Sequence, residues 1–130
     1  MSYLLDTSIL IGILREEPNA RKMFEYLFGE NKDMFICTLS ITQILSKVRK
    51  NENFDKTKDF LNLFIPLSVN KEISSQTGTL GYDLVKKGKT IPDIDDLIIN
   101  ILCQENDLIL VTSNIKHFPN LKNKILEYKY

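Results

Sequence analysis

Tryptophan is absent from these 130 residues, histidine occurs once, as His117, and cysteine only twice, as Cys37 and Cys103. Two thiols set among Ile, Leu or Thr, with a single imidazole, make a poor zinc site and read as small core hydrophobes rather than a disulfide. A reducing, cytoplasmic setting is expected. No stretch approaches the roughly 18 consecutive apolar residues of a membrane span, and the apolar segment from Tyr3 to Leu14 is broken by Asp6 and lacks a basic leader, which argues against a signal peptide and a membrane anchor. There is no long Gly/Ser/Pro-rich linker. A chain that is 43% hydrophobic therefore predicts one globular domain over residues 1–130, large enough to bury roughly two thirds of its unfolded surface. Excess charge is also missing, since 17 Lys and Arg offset 17 Asp and Glu. A polyanionic partner would have to be held by a local patch. The candidate clusters are Lys47, Arg49, Lys50 and Lys86, Lys87, Lys89, each of which by itself reads as a solvated helix end.

What the chain does have is alternation. Tyr3-Leu4-Leu5 is a short apolar run that stops at Asp6-Thr7-Ser8, after which Ile9, Leu10, Ile13 and Leu14 recur at helical spacing. A second helix is expected from Asn19 to Phe28, a buried strand at Met34 to Cys37 ending on Thr38, and a helix from about Ser40 to Lys50. Asn53 to Phe64 reads as an amphipathic helix, Ile65 to Val69 as a short strand, and Lys71 to Lys87 as a long helix ended by Gly88. Leu108 to Val111 is the clearest buried strand, closing on Thr112-Ser113-Asn114, and Ile125 to Tyr130 suits a final edge strand. Strands alternating with helices predict a layered α/β fold with a parallel sheet covered on both faces, whose ligand site lies beyond the carboxyl ends of the strands. Asp6, Thr38 and Thr112 to Asn114 would share that rim.

The segment "IPDIDDLIIN" crowds three carboxylates against an apolar helix. Asp93 suits an N-cap and Asp96 an acid in the first turn, favoured by the helix dipole. At about 100° per residue, Ile94, Leu97, Ile98, Ile101 and Leu102 form one apolar arc with Asp96 roughly opposite it and Asp95 at its edge. Asp95 is thus the unexplained acid. A carboxylate at the margin of a buried face needs a cation or several donors. Asp6, at a strand end, offers a second acid rather than a base. That favours a hard divalent ion with oxygen ligands, Mg²⁺ or Mn²⁺, over an internal ion pair.

Taken together, "YLLDTSIL", "TLSITQIL", "KKGKTIPDIDDLII" and "LILVTSNIKHF" resemble, in order and spacing and nearly end to end, the PIN-domain ribonucleases, especially the VapC-type toxins of toxin–antitoxin pairs. The resemblance implies a three-layer α/β/α PIN-like fold with a central, mainly parallel sheet, and a metal-dependent endoribonuclease whose acids bind one or two Mg²⁺ or Mn²⁺ ions. Asp6 matches the first family acid, Asp95 the third, and Asn114 the fourth position. Thr112 and Ser8 match small polar residues beside the metals, and Asp93 an additional acid of some members. It further implies a structured RNA substrate such as a tRNA or ribosomal RNA loop, a homodimer, and a VapB-like antitoxin whose C-terminal segment lies in the acidic groove. The apolar residues of "MFEYLF" and "FLNLFIPL" suit either such contacts or core packing.

The departure from the family is Gln43, where the pattern has glutamate. Gln keeps a carbonyl oxygen but not the charge that helps hold a divalent ion and orient water. Natural weakening, a catalytically dead domain and a deliberate replacement of glutamate in a toxic protein all stay open. The rival to a nuclease is therefore a catalytically inactive PIN-like module that binds RNA or an antitoxin. A phosphatase-like acid pocket also uses strand-end aspartates with Mg²⁺, but the chain lacks the lysine that chemistry places after a strand. His117 reads as a surface or packing residue before a general base.

Overall fold

The computed structural model describes residues 2–129. The chain runs β1 (Tyr3–Leu5), α1 (Thr7–Leu14), α2 (Pro18–Gly29), β2 (Met34–Cys37), α3 (Thr38–Ser46), α4 (Phe54–Leu61), β3 (Ile65–Leu67), α5 (Lys71–Lys86), α6 (Ile94–Asn106), β4 (Ile109–Thr112), a 3₁₀ turn at Ile115–His117, and β5 (Ile125–Glu127). All five strands are parallel, in the order β3-β2-β1-β4-β5.

Side-chain alternation along these short strands divides the interior in two. Tyr3, Leu5, Ile36, Ile109 and Val111 point to one face, where they meet Ile9 and Leu10 of α1, Leu27 of α2, Ile44 of α3 and Leu61 of α4. Leu4, Cys37 and Leu110 point to the other, against Ile73 of α5 and Ile98, Leu102 and Cys103 of α6. With helices on both faces the central strands β1 and β4 are buried throughout, which is why they read as unbroken apolar runs. The result is an α/β/α sandwich.

The chain builds outward from β1 to β2 and β3, then crosses back to place β4 on the opposite side of β1. This reversal opens a crevice at the carboxyl ends of β1 and β4, where the loops leave in opposite directions. Asp6 and Thr112 flank it.

Several elements are shorter than their sequence signals. The helix expected from Ser40 to Lys50 starts at Thr38 and stops at Ser46, so Lys47, Arg49 and Lys50 lie beyond it. The strand expected to reach Val69 ends at Leu67. The final strand covers Ile125–Glu127, and Tyr130 lies outside the described residues. Ile94, assigned to the apolar arc of α6, is 67% exposed. Every residue of α6 from Leu97 to Cys103 is instead buried, because the helix is packed between the sheet and α5 and has no solvent face along that stretch. Of the two apolar segments offered as contact surfaces, Phe24, Phe60 and Phe64 form an interlocking ring cluster with centroids 5.2 to 6.1 Å apart. Phe28, Leu63 and Ile65 remain exposed.

Gly12 sets the approach of α1 to α2. A Cβ there would lie 2.8 Å from Ala20 Cβ and 3.4 Å from the Tyr128 hydroxyl, whereas one at Gly78 in α5 would meet nothing within 4 Å. Replacing Gly12 by Ala therefore forces two helices apart, at a cost of about 1–3 kcal/mol. Gly78→Ala should instead stabilise by about 1 kcal/mol through helix propensity. Urea denaturation of the two variants should move the midpoints in opposite directions.

Candidate active site

Asp6 ends β1 and caps α1. Its backbone is extended, its N–H donates to Val111 O at 3.1 Å, and its side chain turns back into the first turn of α1. Oδ1 accepts from Ile9 N–H at 3.2 Å and from the Ser8 hydroxyl at 2.6 Å, while Oδ2 accepts from the Thr112 hydroxyl at the end of β4. Thr112 Oγ1 in turn accepts from Asn114 N–H at 2.9 Å, and Ser8 Oγ is met by the Ser113 hydroxyl at 3.1 Å. The adjacency of β1 and β4 thus welds residues more than a hundred positions apart. Asp6 is only 4% exposed. Burial pushes its carboxyl above the ordinary Asp range, and the bonds from Ser8, Thr112 and Ile9 oppose that shift without cancelling it. Among the described residues no Lys or Arg forms an ion pair with Asp6 or Asp95.

The opposite wall comes from α3 and the first turn of α6. Gln43 Nε2 donates to Asp95 Oδ2, and Gln43 Oε1 accepts from the Thr7 hydroxyl at 3.1 Å. Thr7 Oγ1 lies 2.8 Å from Ser40 Oγ. A continuous polar chain therefore runs from α1 through α3 to Asp95. Asp93 occupies the N-cap position of α6, but its side chain makes no capping bond. Its backbone carbonyl serves instead, accepting from Asp96 N–H at 3.0 Å and Leu97 N–H at 3.1 Å. The capping role expected of that carboxylate is absent, and the side chain lines the cleft.

Asp6, Gln43, Asp93, Asp95 and Asn114 all line one open cleft of about 220 Å³, with Thr7, Ser8, Ile11, Lys47, Asp96, Ile99 and His117. Thr112 stands behind it, fully buried. Thr38, expected on the rim, is not among the lining residues; further along α3, Gln43 takes its place. Asp96 lies on the side of α6 where the helical wheel puts it, and that side is the cleft wall. Its side chain is 18% exposed and lies 3.1 Å from His117 Nδ1, because the side of α6 opposite the apolar arc faces the cleft. Burial raises its carboxyl first; the nearby His117 lowers it, and Asp6, Asp93 and Asp95 raise it further. His117 accordingly belongs to the cleft wall. Sequence reasoning gave Thr7 and Ser40 no role, read Asp96 as a first-turn acid and Lys47 as part of a solvated helix end. For Asp96 the available signal was the unbroken apolar run after it, which leaves a helix no free face.

The donor set suits a hard cation. Four carboxylates and two amides offer oxygen, and no thiol lines the cleft. Among the described residues no three His, Cys, Asp or Glu side chains are already drawn into a metal cage. An ion here would be met by one or two carboxylates, with amide oxygen and water completing its shell, which is the habit of Mg²⁺.

Three comparisons with known proteins bear on this arrangement. Residues 3–124 match the PIN domain family. The chain is 28% identical to ribonuclease VapC2 of Rickettsia felis, with 98% of this chain and 97% of that protein covered. It is also 28% identical to ribonuclease VapC19 of Mycobacterium tuberculosis, covering 89% and 91%. The fold superposes on VapBC2 from Rickettsia felis bound to a promoter DNA fragment with TM-score 0.80 at 24% identity, covering 99% of this chain and 100% of that one. A toxin–antitoxin complex from Klebsiella pneumoniae gives TM-score 0.81 at 20% identity, covering 98% and 99%. With nearly its whole length matched, and with VapC-type proteins among its relatives, this chain belongs to the PIN-domain family.

Proposed function

We propose that the chain is a divalent-cation-dependent endoribonuclease and the toxin of a VapBC-type pair. The observation that carries this reading is the buried Asp6 carboxylate, set at the β1/β4 crevice beside Asp93, Asp95 and Asp96 and, among the described residues, in no ion pair with Lys or Arg. Asp6 and Asp95 would be the principal ligands of Mg²⁺ or Mn²⁺, with Asp93 and Asn114 completing the set. When bound, such an ion polarises a phosphodiester, lowers the pKa of water and offsets charge on the leaving 3′ oxygen.

The chain's own side chains do the positioning. Thr112 and Ser8 fix both oxygens of Asp6, and Gln43 fixes Asp95. Lys47 at the rim supplies positive charge that draws a phosphate towards the acids. Because the cleft is open, it admits a strand rather than enclosing a small metabolite, and an unpaired loop of a tRNA or ribosomal RNA presents a backbone that can lie there with its bases splayed outward. The antitoxin partner is VapB-like. An apolar groove lined by Ile11, Leu14, Ile44 and Val48 shares Gln43 and Lys47 with the acid cleft, so a segment laid along it can deliver an Arg or Lys to the carboxylates. Homodimerisation has an exposed apolar face available at Tyr82, Val85, Ile91 and Ile94.

Gln43 favours one alternative. An amide already hydrogen-bonded to Asp95 supports a catalytically inactive PIN module that binds RNA or antitoxin without cutting. Introducing Gln43→Glu separates the readings: RNA cleavage in Mg²⁺ should rise by roughly 10²-fold for a weakened nuclease, and stay at zero in both proteins for the inactive module.

Asp6 supplies a second test. A carboxyl whose folded pKa is raised binds protons more tightly folded than unfolded. The metal-free protein should therefore lose stability as pH rises from the unfolded Asp value towards the raised folded one. Asp6→Asn should flatten that fall and raise the melting temperature in EDTA at neutral pH. Adding Mn²⁺ should raise it for the wild type alone, and RNA cleavage by Asp6→Asn should drop by about 10²-fold or more. Equal Mn²⁺ responses in the two proteins would remove Asp6 from the site.

A further inference from the structure

We propose that Gln43 is a positioning residue that makes this a one-cation centre, its amide N–H giving Asp95 the partner that a second divalent ion would otherwise supply. The inference rests on the metal-dependent reading above and concerns how many ions the chain can hold. A carboxylate can only accept hydrogen bonds, and the Gln43 amide presents Nε2 to Asp95 Oδ2. The carbonyl oxygen, the one atom of Gln43 able to ligate a hard cation, is thereby turned to Thr7, whose hydroxyl donates to it at 3.1 Å and lies 2.8 Å from Ser40 Oγ. Rotating the amide to offer that oxygen to the cleft would break both bonds and set it against a carboxylate oxygen. Nothing nearby replaces it. No acid occurs between Asp33 and Glu52, and the Glu52 carboxylate is used by Arg49 N–H at 2.8 Å, in the neighbouring groove. Among the described residues Asp95 is the only carboxylate hydrogen-bonded to a side chain of α3, and Gln43 engages one of its oxygens. Asp6 would hold the first ion, with Asp95 contributing the oxygen that Gln43 leaves open.

The arrangement explains how a neutral residue can stand at this position without loosening the fold. A glutamate there would face Asp95 charge to charge, tolerable only with a second cation between them. The amide removes both the repulsion and the requirement.

Mn²⁺ titration of the metal-free protein, read by calorimetry and by the free-ion electron paramagnetic resonance signal without RNA present, tests this. One ion per chain is expected for the wild type and two for Gln43→Glu. Two ions in the wild type, or one in the variant, would overturn the proposal. Absence of binding in both would overturn it together with the metal-dependent reading, a result distinct from a wrong count. Should Gln43→Glu fail to fold, Gln43→Met keeps length and bulk while deleting the donor. Its single Mn²⁺ should then bind roughly 10-fold more weakly, as when a residue orienting a metal ligand is lost. Unchanged affinity would show that Gln43 does not position Asp95.

Discussion

A carboxylate held almost out of water at the crevice between β1 and β4 is the constraint around which this molecule is arranged. Asp6 does two jobs that pull against each other. As the cap of α1 it satisfies the Ile9 N–H and fixes the angle at which the helix leaves the sheet. As a charge 4% exposed and without a cationic partner among the described residues, it opposes the burial of the very junction it organises. Ser8 and Thr112 return part of the solvation it loses, yet its pKa stays raised, so the hydrogen bonds fall short of the desolvation. A group that only made the fold would not need its negative charge. A neutral amide or hydroxyl would cap α1 as well without the penalty.

The rest of the cleft sharpens the same imbalance. Asp93, Asp95 and Asp96 arrive on one helix turn, and three of the four acids raise the pKa of the fourth, Asp96. Over the whole chain positive and negative charges cancel, so the acidity of this crevice is a local concentration rather than a global surplus. Basic side chains stand at its margins, with Lys47 on the α3 side and His117 against Asp96. An acidic floor with basic edges repels an approaching polyanion unless a counter-ion occupies the floor, so the proposed function would couple binding of a nucleic acid to binding of a metal.

How far this could be read from the sequence depended on range. The strand and helix order was legible because short, doubly buried strands leave apolar runs, and Asp6 stood out because it interrupts one of them at a strand end. The layered architecture followed from that alternation alone. Asp96 lies opposite the apolar arc as the helical wheel has it, but a wheel does not show that this side of α6 faces the cleft and His117. Asp93 looked like a side-chain cap because residue type and position agree, but its backbone carbonyl does the bonding. The helix expected to reach Lys50 stops at Ser46 although its lysines are good helix formers, since local propensity does not fix where α3 must hand the chain on to α4. The contact of Gln43 with Asp95, 52 residues away, is set wholly by how α3 and α6 meet at the sheet edge. No periodicity within either helix encodes it.

That contact also changes how the departure at position 43 should be understood. Judged as a missing ligand, glutamine is a defect. Judged by electrostatics, it is the member of the pair that lets the crevice exist without an ion. Each carboxylate added to a cluster that already contains four raises the cost of folding before any cation arrives, and lowers it afterwards. On the proposed one-cation reading, an amide donor at that point trades affinity for a second ion against stability of the metal-free state. Because Nε2 is held by Asp95 and Oε1 by Thr7, the trade is built into the geometry of three helices rather than left to one flexible side chain. Reversing it takes more than a change of charge at residue 43: Thr7 must also donate to a carboxylate where it now donates to an amide oxygen. A hydroxyl donates readily to a carboxylate, so Thr7 is able to do so. The scaffold is therefore compatible with either residue, and the choice between them sets how strongly the crevice depends on metal.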